Sequence, residues 1–194
     1  MHAAICDFLS DCLQNSIEAG SSRIKLLYNR SGSIINTIIE DNGKGMTEDE
    51  LVKARDPFYT DGTKHKKRKA GLGIPFLLQA LNLSGGKFSL ESEKGKGTKL
   101  EFSFDADNID TPPEGDIISA VLQAMMFDGN YELEFQRSLT PGRNNGEKYT
   151  VKRSELLDIL GDLSTAGSSN LARQYLQSQE DNLKKETGNG KNDA

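Results

Sequence analysis

Histidine and cysteine are scarce in this chain, with two of each among 194 residues. Two cysteines cannot build a disulfide framework, and a reducing cytoplasm is the default compartment. With only His2 and His65 to draw on, no Ser-His-Asp arrangement is suggested. Cys6 and Cys12 fall on one predicted helix, about 120° apart in projection at 100° per residue. They do not form a paired metal site, and buried free thiols are the better reading. No apolar stretch approaches the roughly 18 residues that a membrane span needs. Residues 1–20 lack a basic leader region and carry Asp7 and Asp11, so no signal peptide is visible. A basic surface is missing as well: the net charge is −5 and the pI is near 5.2. That disfavours a general nucleic-acid coat, which is usually basic.

What is present suits one domain with a small appendage. Residues 3–19 read as an amphipathic helix, with Ile5, Phe8, Leu9, Cys12, Leu13 and Ile17 on one arc. Asp7, Asp11 and Asn15 form a polar row on the same helix. Strand-like runs follow at Arg23–Asn29 and Ile34–Glu40, with Gly32 as a turn between them. Thr47 caps a short helix, with Glu50 at the capping-box position. Residues 56–73 hold little apolar material and read as a long loop. A helix runs from Gly73 through Leu83, then strands near Phe88–Glu93 and Lys99–Phe104. The pattern implies an α/β fold: a two-layer sandwich, a mixed β-sheet with helices on one face.

Composition shifts at Pro112-Pro113. The expected organisation is residues 1–110 as the main domain, 111–183 as a small C-terminal α/β extension, and 184–194 as a disordered tail. The extension holds a helix at Asp116–Phe127 and strands near Tyr131–Gln136 and Lys148–Lys152. Helices at Ser154–Leu160 and Leu171–Asn182 follow. It carries no recognisable chemistry, and its use is packing against the sheet or docking a partner. The tail is Gly, Asn and Lys with nothing to bury.

The glycines invite a phosphate-binding reading. Neither G-x4-G-K-[ST] nor G-x-G-x-x-G occurs, so P-loop and Rossmann sites fail. Another arrangement fits. Asp41 ends a strand just before Gly43 and Gly45, and a carboxylate there accepts a hydrogen bond from an exocyclic amine such as that of adenine. The glycines let backbone approach a flat ring. Gly71 and Gly73 open a helix, where free N–H groups and the helix dipole favour an anion. Asn15 offers a neutral oxygen for Mg2+, and Asp11, one turn earlier, is placed to orient a water. The bland alternative for both is the solvated face of a helix.

Five segments carry these residues in order: Asp11–Ala19 (DCLQNSIEA), Asp41–Met46 (DNGKGM), Asp56–Thr60 (DPFYT), Gly71–Ile74 (GLGI) and Gly95–Thr98 (GKGT). Together they resemble the boxes of the Bergerat-fold ATPase superfamily: gyrase, heat-shock chaperone, histidine kinases and MutL. The spacings are most similar to the histidine-kinase ATP-binding domain, and more narrowly to histidine-kinase-like stand-alone ATP-binding proteins of bacteria. The resemblance implies that Asp41 binds the adenine amine with support from Thr98, and that Gly43, Gly45 and Met46 line the base. Phe58 belongs to the phenylalanine box. Gly71, Leu72 and Gly73 would meet the phosphates, Asn15 would ligate Mg2+, and residues 59–70 would form a lid. Lys64, Lys66, Lys67, Arg68 and Lys69 are then a basic lid or simply a solvated loop.

Two departures matter. Asp11 stands where the gyrase and chaperone branches carry a catalytic glutamate, so slow hydrolysis is expected. Neither histidine sits on a phosphoacceptor helix, so autophosphorylation is not expected. The implied function is Mg-ATP binding that drives a switch or slow ATPase and engages a protein partner. The alternatives are phosphoryl transfer in trans to another protein, or nucleotide sensing without chemistry.

Overall fold

The computed structural model describes residues 4–56, 73–140 and 146–189. Helix α1 (Ile5–Glu18) forms on the predicted stripe, burying Ile5, Cys6, Phe8, Leu9, Cys12 and Leu13. Its first-turn amides are satisfied from far along the chain: Ile5 and Cys6 N–H donate to the carbonyls of Pro113 and Glu114, at 2.8 and 3.0 Å. Strands β1 (Arg23–Ser31) and β2 (Ile34–Asp41) form an antiparallel hairpin. Helix α2 (Glu48–Ala54) starts on the Thr47/Glu50 capping box, and α3 (Gly73–Ser84) precedes the second hairpin, β3 (Lys87–Glu93) and β4 (Gly97–Asp105).

The C-terminal region extends the same sheet. It holds α4 (Ile117–Met126), β5 (Glu132–Thr140), β6 (Glu147–Lys152), α5 (Arg153–Leu160) and α6 (Ala166–Asn189). Strand β5 pairs parallel with β1, from Arg23 opposite Glu132 to Ser31 opposite Thr140. Among the described residues the strands form one six-stranded mixed sheet in the order β3-β4-β2-β1-β5-β6. One face is apolar, because Ile24, Leu26 and Tyr28 of β1 alternate with half-buried residues, as do Leu100, Phe102 and Phe104 of β4. The helices cover that face, and each fully buried large side chain contributes about 1.5–3 kcal/mol. The other face carries Lys25, Asn29, Lys99, Glu101 and Glu134 and faces water.

One expectation is corrected. The sequence pattern predicts a last helix over Leu171–Asn182 and disorder from Lys184, whereas α6 starts at Ala166 and continues to Asn189. The reason is a buried stripe at helical spacing, Ala172, Leu176, Glu180, Leu183 and Thr187. Two of these five are polar, so the stripe is invisible to a search for apolar periodicity. Glu180 is 4 % exposed because Arg137 of β5 pairs with it.

Candidate functional site

Asp41 is the last residue of β2, flanked by Ile24 on β1 and Thr98 on β4. Its carboxylate is held by neutral donors. Ser16 Oγ donates to Oδ2 at 2.8 Å. The Gly43 N–H donates to Oδ1 at 2.8 Å, and Ser21 Oγ lies 3.2 Å from the same oxygen. Ser21 shares its single proton with the Ser16 carbonyl, 2.7 Å away. An ionised carboxylate has about four lone-pair sites. Among the described residues Oδ2 spends only one of its two, so acceptor capacity is left for a further donor.

The loop after Asp41 is fixed on both sides. Lys44 N–H donates to the Ala19 carbonyl at 3.1 Å, and the Lys44 carbonyl accepts from Gly95 N–H at 2.7 Å. Met46 N–H donates to Ser92 Oγ at 2.9 Å. The motif glycines serve these contacts. Gly45 has a φ of 59°, and a Cβ there would lie 2.0 Å from the Glu93 carbonyl oxygen. A Cβ on Gly43 would come within 2.6 Å of Ser21 Oγ. A Cβ on Gly97 would lie 1.9 Å from the Asp41 carbonyl oxygen. In each case the vacated space faces protein rather than an open cleft. Thr98 Oγ1 lies 2.9 Å from Ser92 Oγ, and Ser92 Oγ also lies 2.9 Å from the Gly97 carbonyl. Among the described residues the side chain of Thr98 contacts that of Ser92.

Helix α1 links the motifs. Ser16 points at Asp41, Asn15 beside it is exposed, and Asp11 one turn earlier is half-buried. Asp11 backs onto the start of α3, since a Cβ on Gly73 would meet the Asp11 Cβ at 2.9 Å. The structure therefore brings Asp11, Asn15, Asp41 and Gly73 around one helix. Phe58, Gly71, Leu72 and the expected lid at 59–70 lie outside the described residues. Burial, followed by the charge of Asp11, pushes the neighbouring Cys12 thiol up to about 12, and burial does the same to Cys6. Neither thiol is a nucleophile at neutral pH.

Three serines of this arrangement escape a motif search: Ser16, Ser21 and Ser92. Only Ser16 leaves a signal. It continues the buried stripe Ile5, Leu9, Cys12 and Leu13 of α1, and a hydroxyl on an apolar face needs a partner.

A family model described as histidine kinase-, DNA gyrase B- and HSP90-like ATPase matches residues 3–108, more than half of the chain. The chain belongs to that family. Within it, alginate biosynthesis sensor protein KinB of Pseudomonas aeruginosa is 32 % identical over 96 residues, which are 50 % of this chain and 16 % of that protein. Sporulation kinase C of Bacillus subtilis (strain 168) is 33 % identical over 93 residues, 46 % of this chain and 20 % of that protein. The chain thus spans a fifth or less of the length of these relatives. The crystal structure of the N-terminal domain of a DNA repair protein overlays with a TM-score of 0.53 at 12 % identity, covering 86 % of this chain and 58 % of that one. At that identity the overlay speaks for the fold alone. Its 86 % coverage exceeds the span of residues 3–108, so it includes part of the C-terminal region. Among the described residues no helix is long and apolar enough to cross a membrane.

Proposed function

We propose that this ATPase-family domain binds Mg-ATP at the Asp41 end of the sheet and acts as a nucleotide-dependent switch or slow ATPase that engages a protein partner. The observation that carries it is the Asp41 carboxylate, fixed by Ser16, Ser21 and Gly43 yet with acceptor capacity left on Oδ2. A carboxylate so held suits an exocyclic amine and would face lone pair against lone pair at the guanine carbonyl. Gly43, Gly45 and Met46 belong to the loop that flanks this acceptor, and Thr98 supports that loop through Ser92. Gly73, with Gly71 and Leu72 before it, would face the phosphates at the start of α3.

The donor set fits a hard cation. Asn15 is exposed and neutral, and Mg2+ accepts few protein ligands beside phosphates and waters. When bound, Mg2+ would neutralise phosphate charge. Asp11 would hold and orient a water. Its carboxyl is one methylene shorter than a glutamate's, so the water is misplaced and turnover is slow. The kinase names of the relatives favour a second reading, in which Asp11 positions the hydroxyl of a partner protein for phosphoryl transfer.

Calorimetric titration with Mg-ATP and Mg-GTP, followed by a phosphate-release assay, tests both. Selective binding of ATP is expected. Asp41→Asn turns an amide toward donors and should weaken ATP by roughly thirtyfold, the equivalent of about 2 kcal/mol. Asp11→Asn should keep the affinity and lose phosphate release. Equal binding of ATP by Asp41→Asn would overturn the adenine assignment, and equal release by Asp11→Asn would remove Asp11 from the chemistry.

A further inference from the structure

The opposite end of the sheet holds a cavity that the nucleotide site does not use. It has a volume of about 510 Å3, within the roughly 300–1,000 Å3 of small-molecule sites. Arg30 and Asp41 sit at opposite ends of the β1–β2 hairpin, since Arg30 faces Ile35 while Asp41 faces Ile24. Six residues of strand separate those pairs, about 20 Å. The cavity lies between β1, β5, the start of α4 and α6, and most of its lining comes from beyond residue 108.

Its floor is a buried guanidinium. Arg137 is 3 % exposed and pairs with Glu180, with Nε and Nη2 each 3.3 Å from a carboxylate oxygen. Its Nη1 donates to the Ser138 carbonyl at 2.9 Å, and the guanidinium lies over the Tyr28 ring at 5.0 Å. A guanidinium has five N–H donors. Among the described residues three are spent, and Nη2 also lies 3.9 Å from Glu114 Oε1 in an ion pair, so the donor left without an acceptor is on Nη1, at a nearly water-free position beside the cavity. Buried donors without acceptors are costly and rare. A ligand oxygen would satisfy this one.

The rest of the lining narrows the ligand. Glu114 accepts from Tyr28 Oη at 3.0 Å and from Arg30 Nη1 at 2.7 Å. Lys184 reaches the rim, 3.6 Å from Glu180. Asp116 also faces the cavity. Arg30, Arg137 and Lys184 therefore oppose Glu114, Asp116 and Glu180, and the formal charges of the lining cancel. A polyanion would meet three carboxylates, and a simple cation would meet three cationic groups. A molecule carrying one charge of each sign meets neither penalty. Ile117, Ile118 and Leu139 add an apolar wall.

We propose that this cavity binds a small zwitterion of the α-amino-acid class. Its carboxylate lies toward Arg137, Arg30 and Lys184, its ammonium toward Glu114, and its side chain against Ile117, Ile118 and Leu139. The assignment is independent of the nucleotide reading and survives its failure.

The test is a thermal-shift screen of the full chain against the twenty L-amino acids one at a time, followed by calorimetry on those that raise Tm. Each positive is compared with its analogue lacking the amine and its analogue lacking the carboxylate. At least one amino acid should bind, and both analogues should bind at least about tenfold more weakly. Arg30→Gln and Lys184→Gln alter groups that reach solvent, so folding should survive, and each should weaken binding by about tenfold. No shift with any of the twenty would overturn the proposal. So would an amine-free analogue that binds equally well, or binding indifferent to both variants.

Discussion

The two ends of the β1–β2 hairpin hold charge in opposite ways. At one end the Asp41 carboxylate is held by two serine hydroxyls and one backbone amide, all neutral. At the other, Arg137 and Glu180 neutralise each other at 3 and 4 % exposure, with Arg30 and Glu114 as a second pair. Hydroxyls fix a carboxylate without cancelling it, so the group keeps its charge and spare acceptor capacity for a ligand. A guanidinium opposite would cancel that charge and take up part of the acceptor capacity. The charge pairs do different work: they tie α6 and the Glu114 segment to the sheet. Tyr149 Oη and Lys184 also converge on Glu180.

The comparison breaks most visibly at Glu180. Glu180→Ala leaves the buried Arg137 guanidinium with only the more distant Glu114, at 3.9 Å, and the expected loss is about 3 kcal/mol. Replacing both residues by leucine should cost much less, because no orphaned charge remains. Urea unfolding of the two variants checks this; a loss below about 1 kcal/mol for Glu180→Ala would mean that the pair behaves as a surface contact. The next effect sits at the turns. Gly45→Ala adds a Cβ 2.0 Å from the Glu93 carbonyl oxygen at a φ of 59°. Gly32, at the other end of the hairpin, has a φ of 60° with nothing within 4 Å of an added Cβ. Gly32→Ala should cost about 1 kcal/mol from backbone strain alone, and Gly45→Ala about 2 kcal/mol or more. Equal unfolding midpoints for the two would show that the Asp41 loop yields rather than clashes.

The two ends also differ in how far they can be read from sequence. The Asp41 end was largely legible because its determinants are local: the stripe on α1, the Thr47/Glu50 cap, and glycines at short spacings. Strands β5 and β6 were legible in position. Their partner was not, because β5 pairs with a strand more than a hundred residues earlier, Arg23 with Glu132. The length of α6 failed for the same reason. Glu180 reads as a surface charge until Arg137 is placed opposite it, and only tertiary structure does that. Ser21 and Ser92 likewise acquire their roles through distant partners, Asp41 and Met46.

The smallest effect concerns how α4 is held at the rim of the cavity. Asp116 caps that helix: Oδ1 accepts from Ser119 N–H at 3.0 Å, and Oδ2 takes the Ser119 hydroxyl and Arg173 Nη1. Burial alone would raise its pKa, but the Ser119 hydroxyl and amide and the Arg173 charge hold it below the usual carboxylate range. Because the folded value lies below the unfolded one, the stabilisation is complete above the unfolded value of about 3.9 and is lost as pH falls through the folded value. Asparagine is an equally good N-cap but carries no charge toward the helix dipole or Arg173. The side chain is 57 % exposed, so screening limits the charge effect. Asp116→Asn should therefore cost about 0.5 kcal/mol at pH 7. Urea midpoints for both proteins from pH 7 down to pH 3 should show that difference closing at the acid end. A gap that stays constant across this range would assign the cap's contribution to hydrogen-bond geometry alone.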